Sequence, residues 1–485
     1  MARMITCNNY INGRWVPIGN RTAIESFNPA TGEPVGVAPN ASPDDILETI
    51  STARQAFENS DWAEDSQLRT RALNEYAVAL RDRQEELGKV LTDENGKILH
   101  DATYEVDRGA GIVEYYAGLA QNVFGKTSMP YPDYFSFVVR EPIGVIAVIV
   151  PFNFPVVLML RSLAPALAAG NAVIIKPASY TPAISYELFK VLSEIEGIPP
   201  GIVSLVSGKG SVVGAELCTN PDVDMIALTG SSDTGKQVMK QAADTLKKVS
   251  LELGGKSPNV ILKDADLAKA AQQAIKGAWV SFGGQVCYSG TRILLEDAIH
   301  DEFVDILKQE AEALKLGYGA DPEVSMGPVI DRSQLDIVME YIDIGKEDAD
   351  LITGGLVADE GELAKGNFVT PTIFANVPVD SRISQEEVFG PVVSVFRFKD
   401  LDEAATIANS TIFGLAGAVW TRDVSKALWL ARRIKSGTVW VNCYGKLPYQ
   451  AEMGGFKQSG IGCQYGEEGL HEFTQMKHIG IDIAP

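Results

Sequence analysis

Val145-Ile146-Ala147-Val148-Ile149-Val150-Pro151-Phe152-Asn153-Phe154-Pro155 decides how this chain is read. The wider run from Ile143 to Leu160 holds 18 residues without a formal charge, long enough for a membrane span. Pro151, Asn153 and Pro155 stand at its middle, where they would free backbone groups and leave an amide in hydrocarbon. The run therefore reads as a buried strand over Val145 to Val150, a loop, and a helix over Pro155 to Ala169.

Working outward, the same alternation repeats. Ala172 to Lys176 reads as a strand, Pro182 to Ile195 as a helix, Val203 to Val206 as a strand, Val212 to Cys218 as a helix and Met225 to Thr229 as a strand. Strands separated by helices imply right-handed crossovers and a doubly wound parallel sheet, with ligands at the carboxyl ends of its strands. Beyond Lys256 the pattern resumes with strands at Asn259 to Leu262, Thr291 to Leu295, Val392 to Phe398, Ala416 to Trp420 and Thr438 to Asn442. Helices are expected between them at Leu267 to Ala278, Ile299 to Leu316, Leu401 to Ala408 and Val424 to Ile434, making a second α/β domain. Ahead of the first strand, Ile46, Ile50, Ala53 and Phe57, then Leu73, Ala77 and Leu80, recur at helical spacing. Residues 8 to 40 read as irregular β structure, and Tyr131 to Arg140 alternates like an exposed β-ribbon.

The 485 residues allow two or three domains, and 46% apolar with 22% charged residues is globular composition. A net charge of −21 argues against nucleic-acid phosphates and anionic membrane surfaces as partners. Cys7, Cys218, Cys287, Cys443 and Cys463 are odd in number and scattered, forming neither a disulfide framework nor a metal-ligand pattern. His100, His300, His471 and His478 do not cluster either, so no metal is expected. The stretch Met1-Ala2-Arg3-Met4-Ile5-Thr6 has no apolar secretory core. A reducing cytoplasm is the simplest setting.

Chemistry concentrates in a few stretches. In Phe282-Gly283-Gly284-Gln285-Val286-Cys287-Tyr288-Ser289-Gly290 small residues let the backbone turn closely around a sulfur, whose thiolate form is a nucleophile. Leu251-Glu252-Leu253-Gly254-Gly255-Lys256 places one carboxylate among apolar residues, where desolvation raises its pKa toward a useful range for proton transfer. Taken alone, the first reads more readily as a small buried core residue and the second as a core ion pair. Leu228-Thr229-Gly230-Ser231-Ser232-Asp233-Thr234-Gly235 joins a strand to a helix and suits a pyrophosphate. Gly230 to Lys236 also spells G-x-x-x-x-G-K, a near match to the P-loop of an NTPase, but Gln237 follows where Ser or Thr would hold magnesium.

Together these stretches resemble the aldehyde dehydrogenase superfamily over nearly the whole chain. Pro151 to Pro155 is similar to its oxyanion motif, Leu251 to Lys256 to its general-base motif, and Gly284-Gln285-Val286-Cys287 to its nucleophile motif. Glu386-Glu387-Val388-Phe389-Gly390-Pro391 and Gly454-Gly455-Phe456-Lys457-Gln458-Ser459-Gly460 match two further blocks, in the family's order. The resemblance implies that Cys287, Glu252 and Asn153 are catalytic. It implies that Lys176, Ser179, Gly210, Gly214, Gly230, Ser231, Gly254, Glu387 and Phe389 bind NAD or NADP. Ser179 stands where a glutamate is common in relatives preferring NAD, which leaves room for a 2′-phosphate. Residues 1–121 and 142–252 would form the dinucleotide-binding domain, 253–446 the catalytic domain, and 122–141 with 466–485 a hairpin and tail joining subunits of a homodimer or homotetramer.

The substrate would meet Phe152, Phe154, Arg161, Leu447 and Met453. Arg161, two helical turns beyond Asn153, points to the aldehyde channel; as an alternative it is a surface arginine paired with a carboxylate. A small aromatic or medium aliphatic aldehyde is expected, with a short hydroxyaldehyde or succinic semialdehyde as the alternative. Ser281 argues against the semialdehyde, since it is not a second arginine. Ser162 and Gln464 replace a lysine and a glutamate common in the family, which alters the route by which a proton leaves the base.

Overall fold

The computed structural model describes residues 4–279 and 282–484. Ser281 and Met1 to Arg3 of the amino-terminal stretch lie outside them.

The strands Val145–Ile149, Ala172–Lys176, Val203–Leu205, Met225–Thr229 and Lys248–Glu252 form a parallel sheet. In space their order, counted along the chain, is 3-2-1-4-5. The order reverses on either side of Val145–Ile149, and that reversal opens a crevice at the carboxyl ends. Asn9–Ile11 and Arg14–Val16 close one edge in antiparallel register; Gly460–Ile461 closes the other by pairing with Leu251 and Glu252. The apolar strand Val145–Ile149 ends at Pro151, and Pro155 opens the helix Pro155–Ala168 at a position where a missing N–H costs nothing. Among the described residues no helix is long and apolar enough to cross a membrane.

Helices Pro43–Asn59, Ser66–Asp82, Gln84–Asn95 and Leu99–Leu119 bury apolar faces against this sheet and its crossovers. The expected helix at Val212 begins as a wide turn over Gly210–Gly214 and becomes α-helical at Ala215–Thr219.

A second sheet has the order Asp350–Thr353, Thr372–Ala375, Val392–Phe398, Arg292–Glu296, Pro258–Ile261, Ala416–Trp420, Thr438–Val441. It is parallel except for the first strand. The helix expected over Ile299 to Leu316 is shorter, His300–Glu312, because Leu316 leaves it to bridge Met326 and Gly317 follows.

Lys126–Tyr131 and Tyr134–Pro142 form a hairpin that turns at Pro132-Asp133, inside the ribbon expected over Tyr131 to Arg140. Thr474–Asp482 pairs along its other side, from Thr474 opposite Pro142 to Asp482 opposite Tyr134. Residues just ahead of that strand belong elsewhere. The helix Gly466–His471 packs on Leu99–Leu119, and Phe473 is fully buried in the core around the first sheet.

Candidate active site

Three strand ends and one helix converge on one crevice. The Asn153 loop follows Val145–Ile149, Thr229 ends its strand, Glu252 ends the edge strand, and Arg161 projects from the helix that begins at Pro155. From the second sheet, the loop ahead of Arg292–Glu296 brings Cys287. Its path depends on glycine: Gly284 has φ +76°, and a Cβ there would lie 2.3 Å from the Gly390 carbonyl. Buried Gln285 pins the turn, its Nε2 donating to Phe282 O at 3.0 Å and its Oε1 accepting from Ile330 N at 3.0 Å. The Asn153 amide reaches across and donates to Gln285 O at 3.0 Å. A side-chain donor is thereby held two residues from the sulfur.

The Asn153 loop is held from behind. Asn95 donates to Phe152 O at 2.6 Å, and Lys97 to Asn153 O at 3.0 Å. Lys97 is fully buried, lies 3.7 Å over the Phe154 ring and pairs with buried Glu105. The helix beginning at Pro155 has no side-chain cap of its own, and Glu105 accepts from Val156 N at 3.0 Å and Val157 N at 3.2 Å. A carboxylate at that end also complements the helix dipole.

Glu252 is buried, and burial raises its pKa to about 7, opposed by the Arg161 guanidinium 3.9 Å away and the Gly455 N–H. Its Oε1 has no hydrogen-bond partner among the described residues. The Cys287 thiol is pushed up to about 12, chiefly by burial; Arg161 opposes this, and Glu252 and Glu387 add to it. The sulfur is therefore a thiol near neutrality, and attack requires a base to take its proton. Ser459, in the Gly454 to Gly460 block, fixes the base segment by accepting at its carbonyl from Leu253 N at 2.8 Å and donating through its hydroxyl to Gly254 O at 2.7 Å.

The expected dinucleotide residues rim the same sheet. Lys176 ends its strand buried, donating to Pro177 O at 2.8 Å, and burial lowers its pKa to about 8. Ser179 follows, half-buried. A Cβ on Gly210 would meet nothing within 4 Å, one on Gly214 only Ile149 at 4.0 Å, and one on Gly230 only the Leu228 side chain at 3.6 Å or beyond. That bare cradle lies beside the helix Ser232–Ala242, whose first turn Ser231 caps by accepting from Thr234 N at 3.2 Å. Glu387, also raised to about 7 by burial, accepts from Gly255 N at 2.9 Å. Its carboxylate fills the space above Gly254, where a Cβ would lie 2.3 Å from Oε2. These groups fit a pyrophosphate and two riboses.

The aldehyde dehydrogenase family profile matches residues 15–479. This chain belongs to the aldehyde dehydrogenase family. Betaine aldehyde dehydrogenase of Bacillus subtilis is 42% identical over 98% of this chain and 97% of its own length. Aldehyde dehydrogenase 1A1 of Gallus gallus is 41% identical over 98% of this chain and 93% of its own. The solved structure of betaine aldehyde dehydrogenase from Staphylococcus aureus in complex with NAD+ superposes with a TM-score of 0.97 at 38% identity, covering 99% of this chain and 96% of that one. Membership removes the NTPase reading of Gly230 to Lys236; Lys236 is an exposed residue 3.6 Å from Asp233 on its own helix.

As an aldehyde dehydrogenase the protein divides the expected substrate residues into two groups. Phe152 joins Phe389 at 5.9 Å, Phe282 at 6.4 Å and Tyr180 at 5.7 Å between ring centroids, alongside the cofactor residues. Phe154 lies under Lys97. Arg161 is buried beside Glu252 and Thr229, so it is neither a surface residue nor paired with a bystander. Met453 is buried and bridges Gln464, whose Nε2 donates to Ser250 Oγ at 3.4 Å. Leu447 is half-buried, and its carbonyl accepts from Arg108. Arg108, Tyr449 and Tyr465 were not expected here. Tyr465 adjoins Gln464, and its φ of +60° alone marks it as unusual; Arg108 is a helix residue that sequence periodicity places only on a solvated face.

Proposed function

We propose that this protein oxidises an aldehyde to the carboxylic acid with NAD or NADP, through a covalent intermediate on Cys287. The observation that carries the reading is the convergence of a buried carboxylate, a held amide donor and a sulfur from three separate loops. Glu252, half ionised near neutrality, takes the thiol proton as the sulfur bonds to the aldehyde carbon. The oxyanion so formed is held by the Asn153 amide and the Cys287 N–H, a contribution of about 2.7–4 kcal/mol per donor to the barrier. The nicotinamide, when bound, would supply the acceptor for the hydride lost as this tetrahedral centre collapses to the thioester. Glu252 then takes a proton from water, which attacks the thioester; the carboxylic acid leaves and the Cys287 thiol is restored. Lys176, Gly210, Gly214, Gly230, Ser231, Gly254, Glu387 and Phe389 hold the dinucleotide in this reading. Ser162 and Gln464 cannot carry a proton as a lysine and a glutamate do, so the proton leaves Glu252 through water.

Tyrosine rings on the approach to Cys287 favour a small aromatic or medium aliphatic aldehyde. Both edges of the hairpin sheet are unpaired among the described residues, and Met129, Tyr131, Met476, Ile479 and Ile481 are exposed on it. Free edges of this kind seek a partner, which supports a homodimer or homotetramer joined through residues 122–141 and 474–482. Light scattering at micromolar concentration tests this: a monomeric mass rejects it. Absorbance of the reduced nicotinamide, followed with benzaldehyde and hexanal, tests the activity. Turnover with either cofactor is expected, and its survival in Cys287→Ala would overturn the reading.

A further inference from the structure

We infer that the aldehyde approach selects by charge, accepting aldehydes with an anionic far end over cationic ones, and so differs from the betaine aldehyde dehydrogenases the chain resembles; this rests on the function proposed above. The wall of the approach carries two guanidiniums. Arg161 lies 5.7 Å from the Tyr465 ring and Arg108 lies 5.9 Å from the same ring and 4.4 Å from that of Tyr449. Arg108 also donates to Leu447 O, which fixes it against the loop carrying Leu447 and Tyr449. Both lie near enough to Tyr288, the residue after the nucleophile, to favour its charged form, and Arg161 acts likewise on the Cys287 sulfur.

Quaternary ammonium groups are recognised by open aromatic faces. Here the protein's own cations lie over those faces. A cationic aldehyde entering the channel would have to displace a guanidinium from a ring and then remain next to it, a like-charge contact in a partly dry site. Opposing charges do not cancel the effect. Glu252 faces Arg161 but is held partly neutral by burial. Glu387 lies toward the cofactor residues, against Gly254 and Gly255. Glu452 and Glu467 act on Tyr115 from exposed positions, and Asp107 pairs with Arg81 at 3.4 Å, so these carboxylates are screened by solvent or already matched. Among the described residues Arg108 has no carboxylate partner; its contacts are a carbonyl and two rings.

The test uses a ring of constant shape: 4-carboxybenzaldehyde, 4-methylbenzaldehyde and 4-(trimethylammonio)benzaldehyde, with kcat/KM measured for each at low ionic strength. The wild-type protein should prefer the carboxylate to the trimethylammonio compound by about tenfold or more, although the latter is the more electrophilic aldehyde. In Arg108→Gln, which keeps an N–H donor, that preference, taken as the ratio of kcat/KM for the two charged aldehydes, should fall at least about threefold. Arg108→Lys should retain it. Equal turnover of the cationic and anionic aldehydes by the wild type, or an unchanged preference in Arg108→Gln, would overturn charge selection. Failure of all three aldehydes to react would overturn the aldehyde reading itself, and charge selection with it.

Discussion

Two buried ion pairs lie close together in this protein and behave oppositely. Lys97 and Glu105 satisfy every demand: the ammonium reaches Glu105, the Asn153 carbonyl and the Phe154 ring, and the carboxylate caps a helix through two N–H groups. Arg161 and Glu252 stand 3.9 Å apart, with Arg161 Nε and Glu252 Oε1 both lacking partners among the described residues. A buried polar group without a partner costs stability, so its persistence points to use. The first pair is support; in the proposed reaction the carboxylate of the second takes up the proton.

Substitution should separate them. Glu252→Gln removes the charge but keeps an oxygen beside Arg161, and it should lower kcat by about 10²–10⁴ while costing less stability than the loss of Glu105. Glu105→Ala leaves Lys97 charged and alone in the core, and it should cost about 3–5 kcal/mol of stability in denaturant titration. If Glu252→Gln unfolded the protein and Glu105→Ala did not, the two assignments would have to be exchanged.

The pH profile sharpens the contrast. Glu252 is active as a base only when deprotonated, so kcat/KM should rise as pH increases through about 7. Arg161 opposes the effect of burial on both Glu252 and Cys287. Removing its charge in Arg161→Met should move that rise to higher pH by about one unit or more, with Arg161→Lys moving it less. A profile unchanged in Arg161→Met would show that the pair is not coupled.

The smallest effect expected lies at the cofactor rim. With Ser179 in place NADP should serve within about tenfold of NAD, a gap of about 1.4 kcal/mol or less, and Ser179→Glu should impair NADP selectively. An inert NADP in the wild type would defeat this argument.

Much of this organisation was legible in the sequence because the fold depends on local signals. The helices Leu267–Ala278 and Leu401–Ala408 and the strand Val392–Phe398 have the bounds that periodicity and flanking residues suggest. Lys248–Glu252 was not read as a strand although Lys, Ser and Glu alternate with two apolar residues; it is only five residues long, and one of its two partners, Gly460–Ile461, lies more than two hundred residues away. Asp350–Thr353 and Thr372–Ala375 were missed for a similar reason, being short strands among turn residues. The site shows the same division. Cys287, Glu252 and Asn153 announce themselves through unusual neighbours, whereas Arg108 acquires meaning only when a loop 339 residues later lies against it.

The account stands most directly on the covalent step. The wild-type protein, mixed with hexanal and NAD and quenched with acid during the first turnover, should carry the hexanoyl group as a thioester on the peptide containing Cys287, seen by mass spectrometry of the digest; Glu252→Gln, which lacks the base for thiol attack, should carry much less. The adduct should be absent from Cys287→Ala. An unmodified Cys287 peptide in the wild type when the first equivalent of reduced nicotinamide has formed, or a Glu252→Gln protein acylated as fast as the wild type, would contradict the roles given to the two residues.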